Sequence, residues 1–179
     1  MLEIKNPYGR DPRELWGDDC GNNTWTWKEK AVPARKTVKV KRLSDQAFIP
    51  TYGHLGDAGM DFYLPDDVMI SPGETKVKIP LGIAVEIPHG YFLGIVLRSS
   101  TGLKSTARLS NQFGVIDEGY RGELALMLDN ISDTEWVQFK RGDRIAQGLL
   151  IEKPMVEIQE VEELSDTERG EGGFGSTGK

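Results

Sequence analysis

The chain of 179 residues contains one cysteine, Cys20, so it has no internal disulfide and no multi-cysteine zinc site. Its two histidines, His54 and His89, are not paired at ligand spacing; both read as loop or turn residues, and no transition-metal site is assembled. No apolar run approaches the roughly 18 residues of a membrane-spanning helix. The first residues, MLEIKNPYGRDPRELW, lack the apolar centre of a signal peptide, so none is expected. There is no basic excess either. Lys and Arg number 22 against 28 Asp and Glu, for a net charge of −6. That balance argues against a general nucleic-acid binder but leaves a small anionic ligand open, because local clusters decide that case. A reducing cytoplasm suits the lone thiol (a host's cytoplasm if the chain is viral), and the sequons Asn22-Asn23-Thr24 and Asn130-Ile131-Ser132 then read as incidental.

Sustained helical periodicity is missing too: no segment keeps an i, i+3, i+4, i+7 apolar pattern for about three turns. Glycine (21) and proline (9) are abundant. Length predicts about one domain, burying about 70 % of its extended surface. From Thr37 onward, short runs rich in Val, Ile, Leu and aromatics alternate with turn residues. Strands are predicted over Val38–Leu43, Thr75–Ile79, Gly82–Ile87, Tyr91–Leu97, Glu123–Asn130, Glu135–Phe139, Ile145–Glu152 and Met155–Val161. Turn signals such as Ser71-Pro72-Gly73, Pro88-His89-Gly90 and Asp117-Glu118-Gly119 separate them. The expectation is an all-β sandwich, jelly roll or barrel.

The flanks differ from this body. Residues 1–37 hold Trp16, Trp25, Trp27 and Cys20 without periodicity, and read as an extension packed on the body through its tryptophans. An independent binding segment is the sharper alternative. The β domain is expected over 38–162, and an acidic linker with a glycine-rich arm over 163–179. Glu157 to Glu171 carries seven acidic residues and one arginine, a solvated composition. Arg169 to Lys179 places five glycines around Phe174, too little apolar surface to order itself. Gly173 to Lys179 matches G-x-x-x-x-G-K, but no strand precedes it and no helix follows, so the Walker reading is rejected. Convergent backbone N–H groups, the Arg169 guanidinium and the Ser176 and Thr177 hydroxyls could still hold an anion, with Phe174 stacked on a flat ring.

Four further segments could carry chemistry. Arg98-Ser99-Ser100-Thr101-Gly102-Leu103-Lys104 follows a predicted strand and sets two cations around hydroxyls, which suits an oxyanion or an ordinary surface turn. Asn111 to Glu123 reads as a hairpin arm ending at Asp117, which could orient a water as general base or simply satisfy a turn. Asp57 to Leu64 and Gly142 to Gln147 are each a turn entering a strand. Taken singly, these last two are structural by default.

Taken together and in this order, the five segments resemble the homotrimeric dUTPase (deoxyuridine 5'-triphosphate nucleotidohydrolase) family, over roughly Lys39 to Lys179. The resemblance implies a jelly-roll-like, distorted β-barrel subunit and a homotrimer whose three sites each draw on all three chains, with no membrane or nucleic-acid partner. It implies hydrolysis of dUTP to dUMP and pyrophosphate, which keeps uracil out of DNA and supplies dUMP for thymidylate synthesis. Asp117 would orient the water that attacks the α-phosphorus. Asn111 and the backbone of Gly114, Val115 and Ile116 would read the uracil edge, and Tyr120 would pack on the deoxyribose. Arg98, Ser99, Ser100 and Gln147 would hold phosphates, with Lys104 supporting. Arg169, Gly175, Ser176 and Thr177 would close on the terminal phosphate, with Phe174 over the uracil. Mg2+ is the implied cofactor, held by substrate phosphates with no direct protein ligand and supported by Asp61 through water.

The chain departs from the family pattern at Ser100, where glycine is frequent, and at Gly148, where a bulkier apolar residue is commoner. Two alternatives share the scaffold. A dCTP deaminase needs a glutamate where alignment puts Met127, and a thioether shuttles no protons. A regulatory nucleotide-sensing protein would use residues 1–37 for a protein partner.

Overall fold

The computed structural model describes residues 36–54 and 56–172, all within the compact unit Lys36–Lys179. The readings placed on Trp16, Trp25, Trp27, Cys20, Phe174, Gly175, Ser176 and Thr177 lie outside the described residues. Among the described residues, ten strands and one short helix follow in order: β1 (Lys39–Arg42), β2 (Gly59–Tyr63), β3 (Val68–Ile70), β4 (Val77–Glu86), β5 (Tyr91–Leu97), α1 (Ser99–Lys104), β6 (Ala107–Leu109), β7 (Gly114–Ile116), β8 (Glu123–Asn130), β9 (Val137–Phe139) and β10 (Arg144–Glu152). They form two four-stranded sheets, ordered β1-β4-β8-β6 and β2-β10-β5-β7, and a two-stranded pair β3-β9. Every pairing is antiparallel. This is the all-β, jelly-roll-like class expected from the sequence.

Alternation explains the layers. In β8, Leu124, Leu126, Leu128 and Asn130 point inward while Glu123, Ala125, Met127 and Asp129 point out. Beside them in the same sheet, Ile79, Leu81, Ile83 and Val85 of β4 join Phe62, Leu93, Ile95 and Ile145 of the opposite sheet in one apolar cluster. The buried Asn130 is fully paired: its amide donates to the carbonyls of Ser71 (3.0 Å) and Glu135 (2.7 Å). Its oxygen accepts from Thr106 Oγ1 (2.7 Å) and the Ser132 N–H (3.1 Å). Its side chain is 1 % exposed, so the sequon there offers no glycan site.

Three expectations change. The separate strands over Thr75–Ile79 and Gly82–Ile87 are one strand, because the register shifts between Pro80 and Ala84 and the bulge absorbs proline's missing donor. Gly82 sits there at φ +66°, where a Cβ would lie 2.9 Å from the Ala47 Cβ. The Arg98–Lys104 turn is instead a helical turn and a half, pinned where Thr101 Oγ1 donates to the Ile145 carbonyl (2.9 Å). Met155–Val161 forms no strand, and its Met155, Val156 and Ile158 side chains are exposed. Among the described residues no helix is long and apolar enough to cross a membrane.

Candidate active site

The β2-β10-β5-β7 sheet assembles four of the five sequence segments. Across it, Gln147 of β10 stands opposite Asp61 of β2 on one side and Val96 of β5 on the other. On the far side of β5, Ile95 pairs with Gly114 of β7. Gln147 and Asp61, 86 positions apart in sequence, thereby become neighbours at strand spacing, about 4.8 Å per step.

Asp61 organises the first cluster. It is 5 % exposed, yet both carboxylate oxygens are occupied. Oδ1 lies 2.9 Å from Arg98 Nε, and Oδ2 accepts from an Arg144 guanidinium nitrogen at 3.0 Å. Arg98 also donates to the Arg144 carbonyl (3.2 Å), while its own N–H bonds the Ile145 carbonyl (3.0 Å). Two cations on one carboxylate leave a positive charge at the surface. They border a groove of about 380 Å³ together with Ser99, Gln147 and His54. Gly59 shapes it: a Cβ there would fall 2.9 Å from the Gln147 amide oxygen, so the missing side chain is what lets Gln147 lie across β2. Ser100 and Lys104 border a second groove, about 550 Å³, with Arg98, Asp143 and Arg144. The predicted phosphate-binding residues thus fall on two connected sides of Arg98.

The second cluster lies along β7. Gln112, at φ +58°, turns the chain into the strand, and the Asn111 amide nitrogen lies 3.7 Å from where a Cβ on Gly114 would sit. Phe113 packs over Gly94 of β5, where a side chain would overlap the ring. Past Ile116 comes the turn closed by the Tyr120 N–H to the Asp117 carbonyl (3.0 Å). The Tyr120 ring lies against Gly122 and its hydroxyl donates to the Glu123 carbonyl (3.0 Å). Asp117 itself is exposed.

Within one chain Arg98, Ser99 and Gln112 border a common groove of about 640 Å³, but the Asp117 end of the second cluster lies away from it. Ile116 stands opposite Leu93, whereas Arg98 is five residues further along β5, about 17 Å at the rise of a strand. Arg169 is exposed, with Nε on the Gly172 carbonyl (2.9 Å). Among the described residues, no three His, Cys, Asp or Glu side chains gather as a metal site.

The family model described as dUTPase matches residues 45–178, spanning all five segments. The chain belongs to the dUTPase family. A deoxyuridine 5'-triphosphate nucleotidohydrolase of Clostridioides difficile is 48 % identical over 143 residues, covering 79 % of this chain and 97 % of the relative. One of Caulobacter vibrioides is 39 % identical over 154 residues, covering 83 % and 98 %. Among solved structures, a Staphylococcus bacteriophage 80alpha dUTPase with dUpNHpp aligns at TM-score 0.74 and 31 % identity, covering 81 % of this chain and all of that one.

Within that dUTPase frame, sequence reasoning missed Arg144 and Gly59. Arg144 sits inside a segment that looked like an ordinary strand entrance, and only its ion pair with Asp61 marks it. Gly59 has a signal that could have been read, a glycine two residues before the buried aspartate, but its use depends on where Gln147 lies. Gly148 also finds its reason. A Cβ there would sit 2.7 Å from the Phe62 ring and 3.1 Å from Leu93 Cδ1, so the aromatic fills the space that an apolar residue would take.

Proposed function

We propose that the protein is a dUTP diphosphatase that hydrolyses dUTP to dUMP and pyrophosphate, with each active site assembled between copies in a homotrimer. The observation that carries this reading is that Ile116, the neighbour of Asp117, stands about 17 Å along the sheet from Arg98 in a chain matched by the dUTPase family model over residues 45–178. A water attacking the α-phosphorus and the groups gripping the phosphates must reach a single triphosphate. One chain holds Asp117 away from the Arg98 groove, and a neighbouring copy can bring Asp117 of one to the groove of another.

In that site Asn111 and the backbone of Gly114 to Ile116 read the uracil edge, and Tyr120 packs on the deoxyribose. Arg98, Ser99, Ser100 and Gln147 bind phosphate oxygens, while Asp61 keeps the Arg98 guanidinium aimed by holding its Nε. Arg144, the second partner of Asp61, adds positive charge beside them. Asp117 accepts a proton as the water oxygen bonds to the α-phosphorus. The bond from that phosphorus to the α–β bridging oxygen breaks, and pyrophosphate leaves. Arg169, Ser176 and Thr177 close on the terminal phosphate, with Phe174 over the base, which keeps bulk water out. The donor set suits a Mg2+ that arrives with the substrate: both Asp61 oxygens carry guanidinium groups, and the triphosphate supplies oxygen ligands of its own. When bound, the ion neutralises charge that develops on the phosphates. The dUMP released suits thymidylate synthesis, and removal of dUTP keeps uracil from DNA.

Pyrophosphate release measured across dUTP, dTTP, dCTP and UTP, with Mg2+ and with chelator, tests the reading. Turnover confined to dUTP is expected, with Asp117→Asn lowering kcat at least about a hundredfold while nucleotide still binds. Ammonia from dCTP, or equal turnover of the four nucleotides, would overturn it.

A further inference from the structure

We propose that Glu118 is a positioning residue that clamps the Asp117 turn to the ends of the two central strands and thereby aims the Asp117 carboxylate. The inference rests on Asp117 acting on the attacking water. β7, which carries the turn, has three residues and is paired on one side only, to β5. The turn beyond it runs through Gly119 and Gly122, whose backbones resist bending least. The Asp117 side chain makes no hydrogen bond to a described residue. Something else must hold its direction.

Glu118 is placed to do so. Its Oε2 accepts the Gly90 N–H at 2.8 Å and lies 3.4 Å from Lys153 Nζ, and its Oε1 is 3.2 Å from His89 Nδ1. Gly90 immediately precedes β5 and Lys153 immediately follows β10, and the two are themselves joined by the Lys153 N–H to the Gly90 carbonyl (2.8 Å). Arg121 closes the back of the turn by donating to the Glu118 carbonyl (2.6 Å). The Gly90 N–H, with His89 and Lys153 beside it, holds the Glu118 carboxyl below the ordinary glutamate range, so the clamp is charged at neutral pH. Successive residues of a tight turn move together. An anchored Glu118 therefore fixes Asp117, and a general base misplaced by about 1 Å can cost up to about a hundredfold in rate.

The test uses the full chain, with Glu118→Ala and Glu118→Gln assayed for pyrophosphate release from dUTP alongside thermal unfolding. Glu118→Ala should lower kcat on the order of tenfold with KM within about twofold. Glu118→Gln, whose amide oxygen still accepts the Gly90 N–H, should recover most of that loss. In an Asp117→Asn background, adding Glu118→Ala should leave the residual rate within about twofold. A kcat for Glu118→Ala equal to wild type overturns the clamp. So does a loss carried by KM and melting temperature that glutamine does not recover, or a further large drop in the Asp117→Asn background. A wild-type chain that releases no pyrophosphate from dUTP overturns the functional reading beneath the clamp; an active wild type with an indifferent Glu118→Ala overturns the clamp alone.

Discussion

Replacing Asp61 with asparagine sets two effects of opposite sign against each other in the groove. Asparagine keeps the volume and one acceptor oxygen, but its NH2 then faces a guanidinium N–H, donor against donor. One charge-assisted bond survives in weakened form and the other is lost. Such bonds contribute about 1.5–3 kcal/mol each. The Arg98 and Arg144 side chains are 29 % and 42 % exposed, so water recovers part of the loss. A net cost of about 2 kcal/mol follows, a melting temperature lower by roughly 4–8 °C for a chain of this size. For catalysis, removing the anion raises the local charge, which alone would tighten binding of a triphosphate. Freeing Arg98 acts the other way, because a guanidinium that must first be ordered spends binding energy on its own alignment. Orientation should win, since phosphate recognition by arginine depends on the direction of its fork. The expected result is kcat/KM for dUTP lower by about tenfold, the opposing gain from the charge being only about twofold at physiological salt. Scanning calorimetry at fixed protein concentration and steady-state pyrophosphate release read the two effects separately. A melting temperature within about 1 °C of wild type, or an unchanged or improved kcat/KM, would refute the argument.

Gly148→Ala should cost about 1–3 kcal/mol through overlap with the Phe62 ring, and Phe62→Leu in the same chain should recover part of it; denaturant midpoints measure both. Donation from the Ser110 hydroxyl (2.6 Å), and then from the Lys76 N–H (2.7 Å), holds the Asp129 carboxyl below its ordinary value of 3.8. A lowered folded value means the stability it contributes is present above that pH and is lost as pH falls through the lower one. Melting temperature against pH should therefore fall less steeply below about pH 4 in Asp129→Asn than in wild type; parallel acid limbs would exclude the contribution.

Much of the molecule could be read along the chain, for a local reason. Strand alternation is a property of neighbouring residues, so Tyr91–Leu97 and Glu123–Asn130 were legible to the residue. The five segments were legible for a similar reason: each is a short run whose residue types name a chemistry. Partnership was not legible. Met155–Val161 has strand composition, but a strand exists only beside another backbone that accepts its hydrogen bonds, and the described chain offers it none. Thr75–Ile79 and Gly82–Ile87 read as two strands, but pairing with β8 carries the chain through a bulge in β4 as one.

The sequence by itself determined the class of fold, the family and the inventory of groups able to bind a nucleotide. Only the tertiary structure decided which of them share a site. Register brought Asp61, Gln147 and Val96 side by side and let one buried carboxylate take two arginines, a pairing no spacing rule announces. The same strand geometry set Ile116, the neighbour of Asp117, about 17 Å along the sheet from Arg98. Side-chain chemistry is local and can be read in order, whereas the distance between two chemistries depends on how strands pair, which is settled by the whole core at once.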